Sequence, residues 1–454
     1  MTHSHRGIEE IKERLAEIRS DGEVEDVREA LAELHPSDLA DLVEDLDEDS
    51  QVLLLSALPA EVASEALAEM EEGEERAELL AALEPARGAE LLHELADDDA
   101  VDLIGELDPE ERRRILSQLP REEAGELSDL LGYGEETAGG LMTTDLVAVQ
   151  SSLTAQEALE QVRVLGREVE DFYTVFVVDA RRRLLGTVGL DALVTAELAE
   201  AVERLVEPIV ASVLPDVDQE EVGRLIGRYN LASMAVVTSE GELLGRITFD
   251  DVIDVIEAEQ TEDILLMAGM GGDEEALRYT AWESVRARIP WLVANLATAA
   301  LASGVVYLFS DTIQAAVILA AVMPIVAGMG GNAGSQAVAV TVRSLALEGH
   351  SSPRVALASR VGREVTVGVI NGAVLGAVVA TLAVMVGGDP RLGLVVLLAM
   401  WGNLIVAGFL GSAVPTVMDR LGVDPAVSSS MFVTPFTDLC GFLLLLGLAT
   451  RLLL

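Results

Sequence analysis

The sequence predicts a multidomain membrane protein. An acidic soluble half, first all-helical and then α/β, is joined to a transmembrane domain of five helices. Three observations predict this: charge confined to one half of the chain, a proline-led helical repeat at its start, and five apolar stretches of membrane length at its end. The chain has 454 residues and a formal net charge of -48. Its mean hydropathy of +0.36 is too apolar for such a charge unless the two properties lie in different places. They do. From Ile289 onward the acids are Asp311, Glu348, Glu364, Asp389, Asp419, Asp424 and Asp438, and the bases Arg343, Arg354, Arg360, Arg363, Arg391, Arg420 and Arg451 match them in number. The excess negative charge therefore lies before Ile289. Such a surface repels nucleic acid, which is excluded as a partner, and gathers cations. Solubility or a high-salt habitat accounts for it equally well. Cys440 is alone, so no disulfide framework or cysteine metal site is expected. The N-terminus is charged and lacks a signal-peptide core. Only His3 and His5 have a metal-like spacing among the histidines, in a segment expected to fray.

Residues 1–132 are expected to form an acidic domain of helical repeats. "LHPSDLADLVEDL" from Leu34, "LPAEVASEALAEM" from Leu58, "LEPARGAELLHEL" from Leu83 and "LDPEERRRILSQL" from Leu107 are variants of one unit. Their prolines, Pro36, Pro59, Pro85 and Pro109, recur every 23 to 26 residues. Proline suits a first helical turn, where its missing N–H costs nothing, and short helices repeated at this period stack as a solenoid. "ADDDAVD" (Ala96 to Asp102) is the densest acidic cluster, with Asp98, Asp99 and Asp102 as candidate cation ligands. Aspartates complementing a helix N-terminus give the same pattern.

Residues 138–255 alternate helices with short β-branched runs. "LLGTVGLDALV" from Leu184 matches "LLGRITFDDVI" from Leu243, 59 residues on. Each is expected to be a strand, a glycine turn, a second strand and a helix start. This duplication resembles a tandem pair of CBS modules, which implies an α/β ligand-sensing domain. Such pairs commonly bind adenosine nucleotides through Gly-x-x-Thr-x-x-Asp. Here Gly245, Thr248 and Asp251 supply that pattern and make ATP a candidate ligand, whereas the first repeat departs from it at Gly189 and Ala192. Helix capping by Thr248 and Asp251 is the alternative.

The second repeat runs into "FDDVIDVIEAEQTEDILLMAGM", read as one helix that carries into a connecting segment, 256–285. Asp250, Asp254 and Glu257 fall on one face, where like charges disfavour a helix unless a cation or water neutralises them.

The transmembrane domain is placed at 286–454, with spans at about 289–309, 314–342, 357–386, 392–417 and 428–450. Arginines crowd the connection that begins at Arg343, which puts that side and the acidic half in the cytoplasm and the C-terminus outside. Two spans hold what lipid excludes. "MPIVAGMGGNAGSQ" (Met323 to Gln336) combines proline, glycines including Gly331, and Asn332 and Gln336 four residues apart. "SSSMFVTPFTDLCGF" (Ser428 to Phe442) carries Thr434 and, mid-span, Asp438. Intramembrane acids mark ion paths. A neutral Asp438 bonded to another helix is the structural alternative. One carboxylate cannot neutralise a divalent ion, but a two-fold dimer would bring two together. Mg²⁺ retains its waters and meets one or two carboxylates. Two copies of Asp438 with Thr434, Asn332 and backbone carbonyls would suit it.

In order, "HPSDLADLV", "AGGLMTTD", the paired modules, "EAEQTEDILLMAGM", "GGNAGSQ" and "VTPFTDLCGF" resemble the MgtE-type magnesium channels or transporters along nearly the whole chain. The resemblance implies a homodimer in the inner or plasma membrane with its pore on the two-fold axis and lipid around it. The connecting helix would be a plug, and Mg²⁺ both substrate and regulator. It implies that Asp438 is the selectivity acid and that Asp424 lies at the cytoplasmic mouth. Asp251, Asp254, Glu259, Glu262 and Asp263 are then the regulatory acids of the plug junction, with Asp98, Asp99 and Asp102 in the helical repeats. The expected function is Mg²⁺ uptake that cytoplasmic Mg²⁺ shuts off, with no enzymatic step. A proton-coupled exchanger and a membrane-tethered Mg²⁺ or nucleotide sensor are the competing classes. An intramembrane aspartyl protease is disfavoured, because only one mid-span acid is found.

Overall fold

The computed structural model describes residues 31, 34–70, 73–167, 169, 172–270, 280–348, 353–427 and 429–454. His3, His5, Ser428, residues 1–30 of the expected helical domain and residues 271–279 of the expected connecting helix lie outside these residues. The chain divides into two compact units, Met1–Val255 and Ile256–Leu454.

The first unit opens with eight short helices: α1 (Pro36–Glu44), α2 (Glu48–Ala57), α3 (Ala60–Ala68), α4 (Glu74–Ala82), α5 (Pro85–Glu94), α6 (Asp97–Gly105), α7 (Pro109–Leu116) and α8 (Arg121–Leu130). Odd-numbered helices stack on one another, and so do even-numbered ones, giving a two-row solenoid. The four repeat prolines all begin odd-row helices. Pro36, Pro85 and Pro109 stand in the first turn, and Pro59 caps α3. Between the rows lie Leu39, Leu42, Leu54, Leu67, Leu80 and Leu91, each at most 1% exposed. Arg76 is buried and spans two repeats. Its Nε and Nη2 donate to Glu106 at 3.2 and 2.6 Å, and its Nη1 to the carbonyl of Ala68 at 3.1 Å.

Two α/β modules follow. The first has β1 (Ala148–Gln150), α9 (Ala155–Leu165), β2 (Thr174–Val178), β3 (Leu184–Gly189) and α10 (Leu190–Thr195). The second has β4 (Ser212–Val213), α11 (Gln219–Tyr229), β5 (Ser233–Val237) and β6 (Leu243–Thr248), and runs into α12 (Phe249–Met267). Both sheets have the same order, a parallel pair and then an antiparallel one. Thr174 pairs with Gly189 and, 59 residues on, Ser233 pairs with Thr248. The duplication is thus repeated in the hydrogen-bond register. The glycine turn expected within each repeat is instead the middle of one unbroken strand: Gly186 of β3 and Gly245 of β6 make room for the carbonyl oxygens of Glu207 and Thr143, which a Cβ would approach to 2.4 and 2.6 Å. The turns lie before these strands, at Arg182 (φ 58°) in the first module and Gly241 (φ 81°) in the second. The modules join through Leu184 N–H to Gly241 O and Leu243 N–H to Arg182 O, both 3.0 Å, and share Phe176, Val178, Ala235 and Leu243 as a core. The solenoid and the second module also share one core, in which Ile104 and Leu127 belong with Met142, Ile226 and Val252.

Helix α12 starts inside the second repeat, and its last turns belong to the second unit. It closes at Met267 rather than running through 285. Gly269 adopts φ 76°, and the N–H of Met270 returns to the Leu265 carbonyl at 2.9 Å, the bond pattern of a glycine-terminated helix. The membrane helices are α13 (Ala281–Leu308), α15 (Ile318–Glu348), α16 (Pro353–Gly387), α17 (Pro390–Arg420) and α18 (Ser429–Leu452), with a short α14 (Ser310–Ala315). All five are long and apolar enough to span a bilayer. Several overrun the expected spans. Helix α13 starts eight residues early because Thr280 and Glu283 form a capping box. Helix α15 continues through Arg343 to Glu348 because "SLALE" favours helix beyond the apolar stretch. The "SDT" turn is helical as α14.

Glycines let these helices approach closely. A Cβ at Gly368 of α16 would stand 2.4 Å from the Leu404 carbonyl oxygen of α17, and one at Gly408 equally close to the Glu364 carbonyl oxygen. Trp401 seals the contact by donating Nε1–H to Val369 O at 3.0 Å. Gly368→Val should therefore destabilise the membrane unit by about 1–3 kcal/mol. It should lower the thermal midpoint in detergent, whereas Gly304→Ala, with nothing within 4 Å, should leave it unchanged.

Candidate functional site

In the first unit, three aspartates form the first turn of α6: Asp97, Asp98 and Asp99. They complement the positive end of the helix, and they also meet acids from α12. Asp98 is only 9% exposed, and its Oδ1 accepts no hydrogen bond from any described residue. Burial, then Asp99, then Asp251 hold its carboxyl well above the usual carboxylate range, against backbone N–H groups that pull it down. Desolvation, then Asp251, raises Asp99 to about 6, with Glu69 and Asp250 adding to the rise and the Arg76 guanidinium opposing it. Asp99 keeps an exposed edge, so water screens part of this crowding. Asp97 accepts a hydrogen bond from the Thr144 hydroxyl. Asp102 is half-buried one turn further along α6.

Asp251 belongs to the same cluster. Burial raises its carboxyl despite the N–H and hydroxyl of Thr248, both of which donate to it. This is one half of a capping box at the start of α12, so the capping reading of Thr248 and Asp251 has its geometry. Gly245 has a local reason too. A Cβ there would stand 2.6 Å from the carbonyl oxygen of Thr143, which forms an isolated bridge with Arg246 through two 2.9 Å bonds. Among the described residues no three acid, histidine or cysteine side chains converge into a ready-made metal cage. What is present is a buried carboxylate with an unused oxygen, faced by other carboxylates. That fits an ion met by one or two carboxylates through its own waters, as Mg²⁺ is.

Asp254 lies on α12 just before the division between units, and Glu259, Glu262 and Asp263 lie beyond it. In the second unit, burial and then Asp424 raise Asp263 to about 6, against the pull of Arg343. Desolvation likewise raises Asp424, while the N–H of Ala426 donates to it at 2.7 Å. The structure thus brings Asp263 and Asp424 together, with Arg343 as counter-charge. Beneath them Leu266, Val338, Val342, Ala426 and Val433 form a small core.

Of the membrane candidates, Gly331 is buried on α15 and packs against Thr434 of α18, where an added Cβ would stand only 3.3 Å from Thr434 Cγ2. Gly334 approaches Val433 and Thr437. Thr434 and Asp438, four residues apart on α18, are both half-buried. Asn332 is exposed. Gln336 lines a cavity of about 230 Å³ with Arg363, Glu364 and Asn371, on the side of α15 that faces α16 and α17. Gln336 is exposed like Asn332, one turn away on the same helix, and differs in lining this cavity. Sequence reasoning missed Asn403, which is fully buried on α17. Its signal was a lone amide within an apolar span.

Comparison with known families accounts for nearly all of this architecture. The MgtE divalent cation transporter family matches residues 323–448, the MgtE intracellular N domain 34–136, and CBS domains 138–199 and 202–258. The magnesium transporter MgtE of Thermus thermophilus is 35% identical over 454 residues, covering 98% of this chain and 99% of its own length. The chain belongs to the MgtE family. The Bacillus subtilis magnesium transporter MgtE is 28% identical over 437 residues, 96% of each chain. A crystal structure of the soluble part of a magnesium transporter superposes with a TM-score of 0.51 at 31% identity, covering 56% of this chain and 98% of that one. This MgtE-family member is thus a multi-pass membrane protein of a magnesium transporter family, with a helical N-terminal domain, tandem CBS domains and five candidate spans.

The acid cluster has a pH signature. Asp98 and Asp99 hold protons more tightly in the folded chain than in the unfolded one, so folding is favoured as pH falls through their raised values. In a chelating buffer the thermal midpoint of the soluble unit of this MgtE-family chain should rise as pH is lowered from 8 through about 6 toward the ordinary carboxylate range. Asp98→Asn should raise the midpoint at pH 8 and flatten the dependence. Scanning calorimetry across pH checks both.

Proposed function

We propose that the chain is a homodimeric, Mg²⁺-selective channel for magnesium uptake that cytoplasmic Mg²⁺ closes. The observation that carries this reading is the buried, unpartnered Oδ1 of Asp98, held with Asp99 against Asp251. Without a cation these carboxylates repel across the contact between solenoid and second CBS module, and part of their charge is suppressed by protonation instead. A hydrated Mg²⁺ bridging them would favour the domains being together. A ligand shifts such an equilibrium only by binding one arrangement better, and closely opposed acids provide that difference.

Helix α12 connects this sensor to the membrane. It begins with Asp250 and Asp251, continues through Asp254, Glu259 and Glu262, and ends near Asp263, which meets Asp424. A second Mg²⁺ between Asp263 and Asp424 would hold the plug helix closed. When Mg²⁺ falls, repulsion at both places loosens it. In the pore, two copies of Asp438 on the dimer axis, with Thr434, Asn332 and the Gly331 backbone, would bind the hydrated ion. The concentration of arginines at Arg343, Arg354, Arg360 and Arg363 supports a cytoplasmic soluble half and an outward C-terminus.

The test is Mg²⁺ uptake into proteoliposomes, with low or high Mg²⁺ on the soluble-domain side. Wild-type flux should be suppressed by high Mg²⁺ and insensitive to a proton gradient, and Asp438→Asn should abolish it. Asp251→Asn combined with Glu259→Gln should leave flux running at high Mg²⁺. If that double variant kept the wild-type Mg²⁺ dependence, the gating account would be wrong. Flux driven by a proton gradient would point to an exchanger.

A further inference from the structure

Asn403 is the one wholly buried amide in the membrane unit among the described residues. Its Nδ2 donates to the carbonyl oxygen of Val326 on α15 at 3.0 Å. It lies where α15, α17 and α18 meet. A Cβ at Gly330 of α15 would stand 2.2 Å from that nitrogen, and one at Gly441 of α18 2.9 Å from it. Two glycines on two helices therefore leave the slot that the amide fills. The Val326 bond also fixes which way the amide faces, since turning it would set two oxygens against each other. Asn403 Oδ1 is left buried without a hydrogen-bond partner among the described residues.

Packing alone does not call for this residue. An apolar side chain of the same shape would fill the slot without an orphaned oxygen, and relief of that buried oxygen offsets the loss of one bond to a carbonyl that lies within helix α15. What the amide adds is direction: a bond from α17 to one carbonyl of α15, made beside Gly441 of α18. The place matters for conduction. Gly330 adjoins Gly331, which packs on Thr434, and Gly441 is one turn from Asp438 on the same face of α18. We infer that Asn403 is a positioning residue for the ion path. Its bond to Val326 sets the spacing of α15 and α18 at which Thr434 and Asp438 meet the hydrated ion. This rests on the reading of Asp438 as the filter acid.

The test measures uptake against Mg²⁺ concentration, and against competing Ca²⁺, for the full chain in proteoliposomes. Wild type is compared with Asn403→Leu, Asn403→Ala and Gly330→Ala, and rates are taken per folded channel. Loss of positioning should raise the half-saturating Mg²⁺ concentration about tenfold and weaken the preference for Mg²⁺ over Ca²⁺. Asn403→Leu should keep the wild-type melting temperature. Gly330→Ala, which pushes the amide off its carbonyl, should give the same shift and add nothing in an Asn403→Ala background. A purely structural role would lower the amount of folded protein but leave half-saturation and selectivity at wild-type values in every variant. That result overturns the inference. An Asp438→Asn control separates the two readings. If it abolishes uptake while the Asn403 variants behave as wild type, only the positioning role fails. If it leaves uptake intact, the filter reading fails and takes the positioning role with it.

Discussion

Carboxylates brought together without enough positive charge to balance them are the constraint on which the soluble unit depends. Asp98 and Asp99 start α6, Asp250 and Asp251 start α12, and Arg76 is the base whose pull on Asp99 opposes theirs. Arg76 is itself committed to Glu106 and to helix-end carbonyls. The apolar core that runs from the solenoid into the second CBS module holds these acids close regardless. Hydrophobic burial thus pushes the domains together, and charge pushes them apart. On the proposed reading such a contact is poised, and a bound cation would decide it.

The membrane unit follows the opposite rule. From Ile289 onward its acids and bases balance, and its tight contacts are made by glycine backbones, where Gly368 and Gly408 let α16 and α17 touch and Gly331 and Gly334 let α15 and α18 touch. Without water to drive association, close backbone approach and a few directed hydrogen bonds fix helix positions. Trp401 and Asn403 each supply one such bond from α17 to a neighbouring helix. Thr437, by contrast, returns its hydroxyl to the Thr434 carbonyl of its own helix at 2.8 Å.

The fold was legible in the sequence because its signals are periodic. The prolines announced the odd row of the solenoid, the 59-residue duplication announced two equal sheets, and the apolar runs announced five spans. Helix ends were less legible, since capping at Thr280 and the helix-favouring "SLALE" lie outside the apolar pattern. The candidate sites were legible as acids but not as groupings. No spacing rule puts Asp98 beside Asp251 or Asp263 beside Asp424, because those meetings depend on how distant segments pack. Asn403 was illegible for the same reason: one amide in an apolar span acquires meaning only from the two glycines and the carbonyl that surround it.

Sensor and pore place incompatible demands on a chain, and the charge distribution reconciles them. A sensor must be able to come apart, so its contact must include a repulsive term of variable size. Carboxylates supply that term because cations and protons both tune it. A filter must hold its ligands at fixed distances while ions pass, so its supports cannot be charges that the passing ion would rearrange. Neutral amides, indoles and glycine contacts meet that need. On the proposed reading, confining the net charge to the residues before Ile289 would let Mg²⁺ act strongly on the soluble half and the connecting helix while the supports of the spans remain indifferent to it.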